Sequence, residues 1–193
     1  MAEKEAPEAG DDVDEYGLKV QKYVSTVLVV VPERSYAETT LRYARSSLYN
    51  VHVGTRSVST KDEDLIHGEM QDEFQVDGRI EGETMDAYSG ILLCGGEGAL
   101  ELVDHPDALR LVREADAAEK LIGAWGHSAA LLARAGVVKG RKVTGDPSIA
   151  GALRDAGAKY TGVQVERDKH IVTAFDDAAG FRFGRELIRI VGI

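Results

Sequence analysis

Leu121-Ile122-Gly123-Ala124-Trp125-Gly126-His127-Ser128-Ala129-Ala130-Leu131-Leu132-Ala133-Arg134-Ala135-Gly136 is the stretch whose reading decides the fold. Its first five residues form a short apolar run of the kind a buried strand requires. From about His127 to Arg134 the residues suit a helix, and Gly136 stands where a helix commonly ends. A strand and a helix therefore meet at a sharp elbow, Trp125-Gly126-His127. The tip of that elbow carries no nucleophile.

The same alternation extends in both directions. Residues 23–31 (YVSTVLVVV) are a continuous β-branched apolar run, the signature of a strand covered on both faces. After Pro32-Glu33-Arg34-Ser35, the residues Ala37, Leu41, Ala44 and Leu48 recur at helical spacing. Residues 51–54 read as a short second strand, and residues 91–94 as another buried one that ends in Gly95-Gly96. Pro106 opens a helix that continues through Leu109, Val112 and Ala115. Asp146-Pro147 reads as a helix cap followed by the first helical position, with Gly157 just past the end. Residues 163–165 and 171–173 read as strands separated by a turn at Arg167-Asp168-Lys169, and residues 181–191 as a terminal amphipathic helix. Residues 58–88 are the hardest to assign, with one or two small strands expected between 71 and 80. The pattern predicts an α/β fold: a flavodoxin-like, doubly wound, mostly parallel sheet with helices on both faces.

The charge of -10 is concentrated at one end. Glu3, Glu5, Glu8, Asp11, Asp12, Asp14 and Glu15 face a single lysine in the first fifteen residues, which supply -6 of the total. Residues 1–22 are therefore expected to be an acidic arm, flexible or partner-docking, and residues 23–193 a single domain. The rest is mildly acidic, without the basic excess that displaces counterions from nucleic acid or anionic lipid. No run of about 18 apolar residues suits a membrane span, and no secretory signal opens the chain. A cytoplasmic location is expected. Cys94 is the only cysteine, so an intramolecular disulfide is impossible. His52, His105, His170 and the His67-Gly68-Glu69 group lack recognised ligand spacing, so neither metal nor cofactor is expected.

In open α/β sheets, ligands bind beyond the carboxyl ends of the strands. Three loops meet that description. The first carries Glu33 and Glu38. The second, Gly95-Gly96-Glu97-Gly98, has glycines that let backbone amides approach a ligand. The third is Trp125-Gly126-His127-Ser128.

From Ile91 to Thr144 the chain resembles the ThiJ/PfpI family of the class I glutamine-amidotransferase-like superfamily. The family pattern is an apolar strand, Gly-Gly-x-Gly, a helix, Ile-Ala-Ala-x-Cys-His-Gly-Pro, then Ala-Gly-Leu-Leu-x-Gly-Arg-x-Val-Thr. Ala135-Gly136-Val137-Val138-Lys139-Gly140-Arg141-Lys142-Val143-Thr144 matches the last element. The likeness extends over about residues 23–193. It implies that Gly126 replaces the family's nucleophilic cysteine, with His127 at the following histidine and Ser128-Ala129 where Gly-Pro usually stands. Glu38 matches the glutamate that commonly hydrogen-bonds the sulfur, and Asp146 lies where some relatives place another histidine. Gly95, Gly96, His127 and Ser128 would form the anion or oxyanion site. Cys94 stands near the site but outside the nucleophile position, and reads as a small buried residue or a relocated thiol.

Each of these residues also has a plain reading. Gly126 relieves backbone strain, Ser128 and Asp146 cap helices, and Glu38 is an early-helix acid favoured by the macrodipole. Three functions follow. The first is a non-catalytic binding, scaffold or chaperone-like protein, which the resemblance implies is a homodimer or larger homo-oligomer. The second is a cysteine-independent hydrolase or glyoxalase/deglycase-type enzyme that uses Glu38 and His127 through water. The third is a component whose acidic arm docks a protein partner.

Overall fold

The computed structural model describes residues 22–61 and 65–191. The expectation of a flexible or partner-docking arm at residues 1–21 lies outside the described residues. The chain begins with β1 (Ser25–Val30), β2 (Arg34–Tyr36), α1 (Glu38–Tyr49) and β3 (Val53–Ser59). It continues through β4 (Leu65–Gly68), β5 (Glu73–Gln75), β6 (Gly78–Arg79), β7 (Gly90–Leu93) and α2 (Pro106–Ala117). Next come β8 (Leu121–Trp125), α3 (Ala129–Ala135), β9 (Lys142–Val143), α4 (Ala150–Asp155) and β10 (Lys159–Tyr160). The closing elements are β11 (Val165–Asp168), β12 (Ile171–Ala174) and α5 (Gly180–Ile188).

The central sheet has the order β11-β12-β8-β7-β1-β3-β6 and is parallel except for β11, which runs antiparallel to β12. Alternate residues of β1 feed two separate cores. Leu28 and Val30 join Ile91, Leu93 and Ile122 beneath α2 and α3, while Val27 and Val29 join Leu92, Leu121 and Trp125 beneath α1 and α5. This two-sided burial is why the middle strands read as unbroken apolar runs. Helices α1 and α5 lie side by side and in the same direction, because glycines let their backbones approach: a Cβ on Gly180 would come within 2.7 Å of the Tyr43 ring. Gly184 meets Ser47 one turn further along.

Several boundaries differ from the sequence expectation; the terminal helix, for one, ends at Ile188 rather than at residue 191. The second strand runs from Val53 to Ser59 rather than over 51–54. Its polar residues hid it, yet Ser57 and Ser59 are buried. The Ser59 hydroxyl donates to the Val31 carbonyl at 2.8 Å and the Ser57 N–H donates to the Asp77 carboxylate at 2.7 Å, while the Ser57 hydroxyl has no hydrogen-bond partner among the described residues. The last hairpin turns at Lys169-His170, with Lys169 in the left-handed region, so Arg167 and Asp168 belong to β11. Asp168 is held as a strand end by the Lys142 N–H, which donates to its carboxylate at 2.8 Å.

A three-stranded accessory sheet, β2-β4-β5, folds over the start of α1. It carries the chain's least regular stretch back to the ends of the central strands, where the candidate residues gather.

Candidate functional site

The elbow between β8 and α3 is a single tight turn. Gly126 sits there at φ +58°, a conformation that costs a residue with a side chain about 1–2 kcal/mol. Apart from its chain neighbours and the backbone of its own turn, no heavy atom of the described residues lies within 4 Å of the place a Cβ would occupy. The elbow is therefore shaped for a strained residue and has room for one.

Ser128 pins it. The hydroxyl is buried, donates to the Leu93 carbonyl at 2.7 Å and accepts the Trp125 N–H at 3.0 Å. These bonds tie the turn to β7 and leave the hydroxyl proton committed to the main chain. The Trp125 indole packs edge-on against Phe183, with ring centroids 5.5 Å apart, and stands where a Cβ on Gly95 would go. Its Nε1–H is buried without a hydrogen-bond partner among the described residues.

The glycine loop after β7 is fitted against the loop after β1. Gly96 has φ +102°, and a Cβ there would strike the Ser35 carbonyl. The Ala37 N–H donates to the Gly95 carbonyl at 2.9 Å. The Glu97 N–H, at the start of the next turn, already donates to the Glu69 carboxylate at 2.8 Å. An internal acid thus occupies one amide that a bound anion would use.

Glu38 is 3% exposed. Its Oε1 accepts the Met70 N–H at 2.6 Å, while Oε2 is buried without a hydrogen-bond partner among the described residues. Gly68 faces the carboxylate so closely that no side chain fits between them. Glu38 borders a cavity of about 180 Å³ with Tyr36, Leu41, Arg42, Arg45 and Phe74. Burial pushes the Tyr36 phenol up to about 12, and the Glu38 and Asp72 carboxylates add to the effect. The first turn of α1 is capped from a distant loop: Asp177 accepts the N–H groups of Thr39 at 2.9 Å and Thr40 at 2.7 Å.

His127 borders a different cavity, of about 430 Å³, with Arg34, Ser35, Glu97, Leu100 and Glu101. Its Nε2 lies 3.7 Å from the Asp146 carboxylate, within ion-pair range when the ring is protonated. Asp146 caps the turn that follows it by accepting the Ser148 N–H at 2.8 Å and the Ser148 hydroxyl at 2.6 Å. Burial pushes the Asp146 carboxyl up, but the Ser148 hydrogen bonds, joined by His127, outweigh it and hold the group below its ordinary value. Cys94 is fully buried, with its thiol directed at the Ala37 carbonyl at 3.7 Å. Burial, reinforced by the Asp177 carboxylate, pushes that thiol well above its ordinary value. A protonated, enclosed thiol is a poor nucleophile.

The fold therefore gathers Gly126, His127, Ser128 and Asp146 at the elbow and sets Gly95 and Gly96 beside it. The Glu38 carboxylate turns toward the accessory sheet instead, so Glu38 and His127 line separate cavities. Sequence reasoning missed Asp177 and the capping role of Glu69, which act across 137 and 28 positions of chain respectively. Among the described residues, no group of three or more His, Cys, Asp or Glu side chains is placed to hold a metal ion. No helix among them is long and apolar enough to cross a membrane.

This architecture, with a parallel sheet and a left-handed elbow at β8, is that of a known class. The DJ-1/PfpI family profile matches residues 25–190, and the chain belongs to that family. The uncharacterized protein MJ0967 of Methanocaldococcus jannaschii is 27% identical over 168 residues, covering 86% of this chain and 82% of that one. Among solved structures, the ThiJ/PfpI domain protein of Brachyspira murdochii superposes with a TM-score of 0.83 at 16% identity, covering 88% of this chain and 97% of its own. Schizosaccharomyces pombe DJ-1 superposes at 0.78 with 21% identity, covering 88% and 93% respectively. At these identities the two structures share the fold.

Proposed function

We propose that this chain is a family member without the nucleophile, a non-catalytic binding or scaffold protein that works as a homo-oligomer. The observation that carries the reading is Gly126: a left-handed elbow tip with open space and no side chain to attack. Nucleophilic catalysis needs an activated atom within reach of its base. The one cysteine is buried with its proton held on, and the Ser128 proton is already committed to a carbonyl. Glu38 and His127 line different cavities, which favours binding over water-mediated acid–base chemistry that needs both groups about one substrate. The cavity beside His127 offers charged and polar groups at its rim, suited to a small polar ligand held without covalent change.

Turnover assays test this. Purified protein is expected to convert neither 2-oxoaldehydes nor glycated or peptide substrates above background. Activity that disappears in Glu38→Gln or His127→Ala would overturn the reading. Light scattering after size exclusion tests the oligomer: a monomer at micromolar concentration contradicts that part.

A further inference from the structure

A groove of about 640 Å³ runs between the edge strand β11 and α5, and none of its lining residues belongs to the elbow site. Its walls carry Arg167 from the strand, Arg182 and Arg185 from the helix, and Arg189 from the position just past its end. Arg182, Arg185 and the capping Arg189 recur at spacings of three and four, so they form one stripe along the groove. Glu166 and Glu186 also line it, but Glu186 is already engaged by Arg189 and, at 3.8 Å, by Arg167. Among the described residues, Arg182 and Arg185 are exposed and make no hydrogen bond or ion pair. Two unmatched guanidinium groups on a chain of net charge -10 stand out against its prevailing sign.

We propose that this groove receives the chain's own acidic segment, residues 3–15. That segment carries seven carboxylates against one lysine. Guanidinium groups bind carboxylates through paired hydrogen bonds. The path is short. Helix α5 runs parallel to α1, so Arg189 and Tyr49 lie at the same end of the molecule. The Tyr49 ring is 6.3 Å from that of Tyr23, near the point where the described chain begins. Four strand spacings separate β1 from β11, about 19 Å. Residues 16–22 span up to about 25 Å when extended, enough to deliver the acids to the Arg189 end of the groove. Tethering raises the effective concentration to the millimolar range, so individually weak charge pairs act together.

The test uses the full chain carrying a nitroxide on Ala2→Cys, with paramagnetic broadening of backbone amides as the readout. The expected result is selective broadening of residues 165–168 and 182–189 relative to α2. That selectivity should be lost in Arg182→Glu/Arg185→Glu, lost when the seven acids are replaced by their amides, and reduced severalfold in about 0.5 M salt, where screening shortens to a few ångströms. Broadening that ignores the groove, or that survives charge reversal and salt, would overturn the proposal. So would broadening that arises only in mixtures, from the labelled arm of one molecule onto another.

Discussion

Removing the Ser128 hydroxyl should destabilise the fold rather than abolish a reaction. The residue is buried, and its oxygen serves two backbone groups of neighbouring central strands: it donates to the Leu93 carbonyl at 2.7 Å and accepts the Trp125 N–H at 3.0 Å. Ser128→Ala leaves both without that partner, in a place water does not reach. An unsatisfied buried donor or acceptor costs about 1–3 kcal/mol, and a carbonyl retains a second lone pair, so about 2–4 kcal/mol is expected. For a chain of this size that corresponds to a fall in Tm of about 5–15 °C. Calorimetry measures it directly. Trp125, the only tryptophan, lies at the elbow and should report local loosening through a red shift of its emission. A variant within about 0.5 kcal/mol of the parent would refute this account of the elbow. Combined with loss of a measurable activity, that result would instead make the hydroxyl a functional group.

Gly68→Ala should displace the Glu38 carboxylate from the Met70 N–H and cost about 1.5–3 kcal/mol. The loss should shrink in a Glu38→Ala background, a coupling that a double-mutant cycle reads. Cys94 should resist thiol reagents in the native protein and react only on unfolding. Because its folded pKa is raised, the stability it contributes is present below the unfolded thiol pKa and is lost as pH rises through the folded value. A pH series of urea melts against Cys94→Ala checks the sign. Asp146 behaves in the opposite sense, because its folded pKa is lowered. The stability gap between parent and Asp146→Asn should be full above about pH 4 and close as pH falls further, whereas a gap that widens in acid would contradict the assignment.

Much of this fold is written in local pattern. The strands at β1, β7 and β8 are apolar on both faces, so they could be read without knowing their partners, and Pro106 and Asp146 mark helix starts. What escaped is what depends on distant chain. β3 carries polar residues, and the partner that lets the Ser59 hydroxyl be buried, the Val31 carbonyl, lies 28 positions away. β2 exists because β4 pairs with it, across the chain's least regular stretch. At the site, the order of motifs pointed to the elbow and to its bare tip. The direction of the Glu38 side chain was not legible, since the accessory sheet that supplies the Met70 N–H and the closeness of Gly68 determines it. Nor was the cap on α1, where Ala37 offers no side-chain acceptor and Asp177 supplies one from another strand's end.

The central claim, an elbow that keeps the geometry of a nucleophile turn without its attacking atom, is tested most directly by putting a thiol back. Intact-mass kinetics of alkylation at neutral pH should be followed for the parent and for Gly126→Cys. The claim predicts no labelling of the folded parent, and labelling of the variant at the new thiol at least about tenfold faster than a free cysteine. That acceleration would come from a thiol pKa lowered at the helix start. Labelling of the native parent at Cys94, or a new thiol at the elbow no more reactive than free cysteine, would contradict it.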